Sequence, residues 1–261
     1  MLTKPDVLLR TALPKTIYNF LRAKYNRKDL YACLSFLLSP NLTISLQHRI
    51  RIVKSLYVIS FSVKSPHTQG QMLAFIHTIL ELPRSGLGVV VEAGCYKGSS
   101  TAKFSLAADI AGREVVVFDS FQGIPDNHEL HETDIFGRAV SFKKGDYCGT
   151  LDEVKTNVSK FGKLDSCRFI PGWFDDTMPR FKEPIAAVYL DVDLASSTRS
   201  CLKYLYPFLE PGGVVYSQDG HLPLVLNVFE DDGFWLNEVG CKKPQILGLG
   251  RNKLIKIIKE A

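Results

Sequence analysis

The chain has 261 residues and a formal net charge of +5, enough length for one large α/β domain with an added segment. Its composition is ordinary for a globular protein with a real core. There is no run of about twenty apolar residues to predict a transmembrane helix. Residues 1–10 lack the apolar stretch of a signal peptide. The six cysteines include no Cys-x-x-Cys pair, which argues against a disulfide framework or a zinc site and favours a cytoplasmic protein.

The first part of the chain is basic. Residues 1–54 carry ten Lys or Arg and two Asp, a net charge of +8 that leaves −3 for the remainder. This segment could contact an anionic partner such as a membrane surface, a phosphorylated substrate or nucleic acid. Alternatively it is a solvated helical face, or it contacts the acidic remainder or a second subunit in a homo-oligomer. No nucleic-acid motif is present, so we expect no nucleic-acid partner.

Helical patterns are predicted at 15–25, 30–38 and 46–58, the last basic on one side through Arg49, Arg51 and Lys54. Ser65-Pro66 stops this run, so we divide the chain into a basic helical segment, 1–65, and a second domain, 66–261. An amphipathic helix is predicted at 69–82 with Thr68 as its N-cap. His67 is interpreted as a turn residue, with ligand contact as the alternative.

The second domain is organised around the stretch that begins at Val89. A β-branched run ends in Glu92, a Gly-xxx-Gly turn follows at Gly94 and Gly98, and a helical pattern begins at Ser99. This order predicts the first βα unit of a nucleoside-binding sheet, in which bare backbone and the first N–H groups of a helix approach a ligand. Many βα turns hold two glycines without a ligand, so the turn needs support from elsewhere.

That support comes from the second strand, 114–118, which ends in Asp119. A carboxylate there typically accepts hydrogen bonds from a ribose, although it could also cap a turn. Tyr96 stands where a dinucleotide turn requires glycine. Glu92 would repel a pyrophosphate but suits a cationic sulfonium that carries an amino group. The turn therefore favours S-adenosylmethionine over a nicotinamide dinucleotide.

The rest of the chain alternates strands and helices. A long connection, 120–149, is interpreted as a lid or binding loop. Thr150 and Glu153 predict a capping box for a helix to about Lys160, and Ser196 or Ser197 is expected to cap a later helix. Further strands are predicted at 167–170, 185–190 and 214–217, followed by a hairpin at 245–249 and 253–258. Together they imply a mostly parallel sheet with one reversed strand.

Acidic side chains follow the fourth and fifth strands, so they should converge on one cleft. Asp191 and Asp219, with Gln218 or waters, could bind Mg²⁺, which would lower the pKa of a hydroxyl to be methylated. Asp193 is instead expected to cap the next helix. The candidate catalytic bases are Asp191, His221, Asp146 and His131, with a loop histidine as an equal alternative for His221.

Five motifs in order carry a family resemblance: Glu92-Ala-Gly-Cys-Tyr-Lys-Gly98-Ser, Asp119-Ser-Phe-Gln-Gly-Ile-Pro125, Pro171-Gly-Trp-Phe-Asp-Asp-Thr-Met-Pro179, Leu190-Asp-Val-Asp193 and Leu209-Glu-Pro-Gly-Gly213. Residues 88–220 resemble the macrocin O-methyltransferase family, which methylates sugar hydroxyls of macrolides with Mg²⁺. The resemblance implies a Rossmann-like class I methyltransferase with a seven-stranded sheet. It also implies cofactor roles for Glu92, Gly94, Tyr96, Gly98, Ser99, Asp119, Ser120, Phe121, Gly172, Trp173 and Asp191.

One departure from the family concerns the metal. The family usually shows two adjacent aspartates after the fifth strand, where this chain has Gln218-Asp219, and an amide is a weaker ligand for a hard cation. The leading hypothesis is an S-adenosylmethionine-dependent O-methyltransferase of a sugar or other natural-product hydroxyl, assisted by Mg²⁺. The alternatives are a metal-independent methyltransferase for a lipid-linked or phosphorylated acceptor, and a non-catalytic S-adenosylmethionine-binding protein. A nicotinamide oxidoreductase is disfavoured by the glycine spacing.

Overall fold

The computed structural model of the chain describes residues 27–83 and 88–260. Within these ranges the helices of eight or more residues are α1 (Arg27–Leu38), α2 (Leu46–Ser62), α3 (Gln69–Glu81), α4 (Ser99–Ala111), α5 (Leu151–Phe161), α6 (Ala195–Leu205) and α7 (Pro223–Glu230). Shorter helical turns lie at Phe174–Thr177, Met178–Arg180 and Trp235–Val239, among others. None of the helices in this part of the chain is long and apolar enough to cross a membrane.

The strands form one sheet of seven. They are β1 (Val89–Ala93), β2 (Val115–Asp119), β3 (Cys167–Pro171), β4 (Ile185–Leu190), β5 (Leu209–Ser217), β6 (Ile246–Leu247) and β7 (Ile255–Ile258). Their order is β3-β2-β1-β4-β5-β7-β6, and β7 is antiparallel to both of its neighbours. The predicted mostly parallel sheet with one reversed strand and a C-terminal antiparallel hairpin is confirmed. Chain order reverses between β1 and β4, so the carboxyl ends of these two strands form a crevice there.

The central strands consist of nearly continuous apolar residues because helices cover both faces of the sheet. On one face Tyr189 of β4 packs between Phe75 of α3 and Phe104 of α4, with ring centroids 5.1 and 4.9 Å away. Helices α6 and α7 cover the other face through residues such as Leu202 and Val225. These layers fix the strand ends that carry the polar groups.

The predicted helices at 30–38 and 46–58 exist as the slightly longer α1 and α2, and 15–25 lies outside the described residues. The guanidinium of Arg49 donates to carbonyl oxygens at the end of α1 and in the connection to α2, namely those of Leu37, Ser39, Leu42 and Ile44. Arg49 therefore has a structural role in this part of the chain.

The capping predictions had mixed outcomes. Thr68 caps α3 as predicted, in a full capping box with Gln71. Thr150 caps α5 by accepting the Glu153 N–H, but the Glu153 carboxylate pairs with Lys97 instead of closing the predicted box. All six cysteines are free. Cys201 is buried, whereas Cys167 is only partly buried because it lies on the edge strand β3.

Candidate active site

A cleft of about 930 Å³, including its open mouth, lies at the carboxyl ends of β1, β2 and β4. Most of the predicted cofactor residues line it, namely Gly94, Tyr96, Ser99, Asp119, Ser120, Gly172, Trp173 and Asp191. Glu92, Gly98 and Phe121 were predicted with them but do not line it. The cleft also includes residues without a sequence-derived site role, among them Asp193, Tyr147 and Lys253.

The turn between β1 and α4 is left-handed at Gly94, Tyr96 and Gly98, with φ values of 82°, 49° and 79°. A Cβ on Gly94 would overlap the carbonyl oxygen of Asp191, and one on Gly98 would press against Val154 of α5. The sequence interpretation was that both glycines make room for a ligand. The structure shows that the missing Cβ atoms also make room for neighbouring parts of the protein. The backbone of Gly94 still lines the cleft, and its contact with a ligand stays a prediction.

Glu92 is fully buried beneath this turn, so it does not face the cleft directly. Its Oε2 accepts a 2.6 Å hydrogen bond from Thr101 at the start of α4, while Oε1 has no partner among the described residues. Burial raises the pKa of Glu92 to about 8, and the charges of Asp191 and Asp119 add to that effect. A cation or a polar donor nearby would relieve this cost.

Asp119 lies at the end of β2 and lines the cleft. Its two carboxylate oxygens accept hydrogen bonds from the backbone N–H groups of Cys95 and Phe121, both at 2.7 Å. The carboxylate is thus fixed beside the glycine turn, and each oxygen keeps acceptor capacity for a diol. Phe121 serves this arrangement through its N–H, while its side chain packs toward Phe169.

Three carboxylates meet where β4 and β5 end. The oxygens of Asp191, Asp193 and Asp219 lie within 4.8 Å of one another. Asp193 was expected to cap the next helix, which is wrong. Its φ of 61° places it in the cleft, and the N-cap position belongs to Leu194. The alternation of a strand predicts the direction of a side chain only while the strand continues, and β4 ends at Leu190.

Asp219, in the same cluster, is held in place by backbone N–H groups. One of its oxygens accepts the backbone N–H groups of Val192 and Asp193, each at 3.0 Å, and the other has no partner in the described chain. Burial and then the charge of Asp191 raise the pKa of Asp219 to about 7. The neighbouring Gln218 is fully buried, and neither end of its amide has a hydrogen-bond partner within the described ranges.

His67 also reaches this cluster. Its Nε2 lies 2.8 Å from Oδ2 of Asp191, and its Nδ1 lies 3.1 Å from the hydroxyl of Ser65. Burial works to raise the pKa of Asp191, but the His67 imidazole holds it below its ordinary value. The interpretation of His67 as a turn residue missed this contact because its partner is 124 positions away and no local pattern indicates it.

The other candidate bases lie outside the cleft. His221 is buried, its ring stacks on Phe136 at 6.4 Å, and burial followed by the charge of Lys253 lowers its pKa to about 4. Asp146 accepts the backbone N–H of Lys143 within its own loop. His131 lies 3.3 Å from Glu129 instead of facing the cleft.

The loop at 120–149 is attached to the strand ends at two points. The Glu129 carboxylate accepts the N–H groups of Ala195 and Ser196 and the Ser196 hydroxyl, at 2.7, 2.8 and 2.6 Å. It therefore caps α6 from outside, which corrects the prediction that Ser196 or Ser197 does so. The Ile135 N–H donates to the carbonyl of His221 at 3.0 Å. Tyr147 from the end of this loop lines the cleft.

The sheet order and the helices on both faces define a Rossmann-like methyltransferase fold. A solved structure described as the O-methyltransferase NovP matches this fold with a TM-score of 0.66 and 21% identity, covering 82% of this chain and all of that one. Residues 75–231, more than half of the sequence, match the profile of the macrocin O-methyltransferase (TylF) family. The chain belongs to this family.

Curated relatives agree with this assignment. The chain is 36% identical over 163 residues to mycinamicin III 3''-O-methyltransferase from Micromonospora griseorubida, which covers 56% of this chain and 61% of that protein. It is 37% identical over 139 residues to a rhamnosyl-tetracenomycin-C 4'-O-methyltransferase from Streptomyces olivaceus, covering 51% and 52%. The matches thus span between half and two thirds of the relatives' own length.

Proposed function

We propose that this protein is an S-adenosylmethionine-dependent O-methyltransferase. It transfers a methyl group to a hydroxyl of a sugar or other small natural-product acceptor, with assistance from Mg²⁺. One observation carries the proposal: the glycine turn with Asp119 and the carboxylates Asp191 and Asp193 line the same cleft. A donor and an acceptor bound there would be held side by side, as a direct displacement requires.

The residues at the β1 and β2 ends fit S-adenosylmethionine. Asp119 offers oxygens to the ribose hydroxyls, and the Ser99 and Ser100 backbone at the start of α4 suits the carboxylate of the methionine part. Glu92 keeps an unpartnered, buried oxygen close beneath the turn. Glu92 would act by favouring a positively charged group of the ligand above the turn. Gly98 would support the turn, and the N–H of Phe121 would support Asp119. When bound, the cofactor supplies an electrophilic methyl group.

The carboxylate cluster fits Mg²⁺. Its hard oxygen donors lie within 4.8 Å of one another, and Asp219 presents an oxygen that no described group satisfies. Asp191 and Asp219 would hold the cation, with the unpartnered amide of Gln218 available beside them. Asp193 would then face the acceptor from the cleft. When bound, Mg²⁺ would stabilise the alkoxide form of the acceptor hydroxyl.

The chain's own residues then orient the acceptor and take its proton. Asp193 lines the cleft on the side of the metal cluster, so we assign it the acceptor proton in place of His221 and Asp146. Tyr147 and the 120–149 loop limit access of water.

We also propose a division of roles along the chain. Residues 66–261 form the methyltransferase domain, while the basic segment 1–65 and the 120–149 loop select the acceptor. We further propose that the protein is cytoplasmic, in keeping with its free cysteines.

The test is calorimetric titration of S-adenosylhomocysteine into the purified protein, with Mg²⁺ and with EDTA. We expect micromolar binding in both conditions, followed by methyl transfer to glycosylated acceptors that is lost with EDTA. Absence of cofactor binding in both conditions would rule the proposal out. Turnover that persists in EDTA would remove Mg²⁺ from it and support the metal-independent alternative.

A further inference from the structure

His67 is held rigidly although it lies in the connection between α2 and α3. Only 4% of its side chain is exposed, and both ring nitrogens have partners, Asp191 and Ser65. Its ring also meets Tyr189 of β4 edge to face, with centroids 6.3 Å apart. An imidazole with two partners and a packed face has a single available orientation.

The start of α3, directly after the connection that carries His67, is tied to the N-terminal helices. The backbone N–H of Gly70 donates to the Asp29 carboxylate of α1 at 2.8 Å, and the Gln69 amide donates to Ser60 of α2 at 2.9 Å. Two helices that precede the sheet domain therefore fix the position of His67. This connection also lies before residue 75, where the match to the family begins.

The contact constrains how Asp191 can present its oxygens. Oδ2 is engaged by His67, and a carboxylate oxygen of Asp191 lies within 4.8 Å of oxygens of Asp193 and Asp219. The backbone of Asp191 is fixed as well, since its N–H donates to the carbonyl of Ala93 at 3.0 Å. Without His67 the carboxylate could rotate about its last bond and lose this arrangement.

We propose that His67 is a positioning residue that holds Asp191 so that one oxygen, in a fixed orientation, faces the divalent cation. This inference rests on the proposed function, because it assigns Asp191 to the metal. It gives the N-terminal helices a direct part in building the reaction centre. Partners that orient metal ligands typically contribute about 10–100-fold in metal affinity or activity.

The experiment compares three full-length variants by Mn²⁺ titration in the presence of S-adenosylhomocysteine. His67→Phe keeps a planar ring and removes the donor, whereas His67→Gln keeps an N–H that can reach Asp191. The control is His77→Phe, because His77 has the same kinds of partners away from the cleft: Ser39 at 2.8 Å and Glu81 at 3.0 Å. Thermal unfolding of each variant separates lost folding from lost positioning.

We expect His67→Phe to weaken Mn²⁺ binding about 10–100-fold, His67→Gln to stay within a few-fold of wild type, and His77→Phe to leave it unchanged. Equal Mn²⁺ affinity of His67→Phe and wild type would overturn the inference. So would a wild-type protein that binds the cofactor product but no Mn²⁺, an outcome that leaves methyl transfer itself standing. Failure to bind S-adenosylhomocysteine would instead count against the proposed function.

Discussion

The two halves of the cleft are built in different ways. At the ends of β1 and β2 the groups are local in sequence: a glycine turn, the start of α4, and Asp119 held by backbone N–H groups of Cys95 and Phe121. At the ends of β4 and β5 the groups come from distant segments, because Asp191 meets His67 and Asp219 accepts from Val192 and Asp193. The first half depends on backbone conformation, and the second depends on tertiary contacts between charged side chains.

The largest effect is expected where the two halves touch, at Gly94. Its φ of 82° and the carbonyl oxygen of Asp191 leave no room for a Cβ. Gly94→Ala should therefore cost more than about 4 kcal/mol of folding free energy, or abolish folding, as measured by urea denaturation. The control is Gly112→Ala, which has a φ of 68° but nothing within 4 Å, and which should cost only about 1–2 kcal/mol. Similar losses in both variants would show that backbone strain, and not the contact between the halves, dominates.

The next effect tests the local half alone. Asp119→Asn keeps the shape of the side chain but removes its charge, so the ribose hydroxyls and the two backbone donors lose a charged acceptor. Because such hydrogen bonds are worth about 1.5–3 kcal/mol, affinity for S-adenosylhomocysteine should fall about 10–100-fold. Calorimetry measures this. Asp109→Asn, at the exposed end of α4 and paired with Lys163, serves as the control and should bind normally. Unchanged affinity of Asp119→Asn would remove the ribose assignment.

The sequence was informative about the local half because its signals are short in range. The β-branched run, the glycine spacing and Asp119 predicted the first βα units, and the hairpin at the end predicted the reversed strand β7. The distant half was only partly predictable. Asp191 and Asp219 follow strands and were found, but the direction of Asp193 depends on a left-handed residue after the strand ends. The contact of His67 and the capping of α6 by Glu129 depend on tertiary packing.

The distant half should also show its own pH dependence. The pKa of Asp219 is raised to about 7 by burial and by Asp191, and a cation binds only the deprotonated carboxylate. Protons therefore compete with the metal below this value. Mn²⁺ affinity should therefore rise from pH 6 to pH 8, and it should fall by up to about tenfold per pH unit as the pH drops below 7. Titrations at pH 6, 7 and 8 measure this, and a constant affinity would contradict the raised pKa. The affinity of S-adenosylhomocysteine over the same range provides the comparison with the other half.

The smallest effect concerns the loop that closes the distant half. Burial opposes the charge of Glu129, but hydrogen bonds from Ser196 and Ala195 hold its pKa below the ordinary value. Because the carboxylate also lies at the positive end of α6, Glu129→Gln should cost about 1 kcal/mol and increase hydrogen exchange in 120–149. Glu132→Gln is the matched control, since Glu132 is an exposed carboxylate of the same loop. If exchange in the loop changed equally in both variants, Glu129 would not be what attaches it, and the Ile135 contact with His221 would have to hold the loop alone.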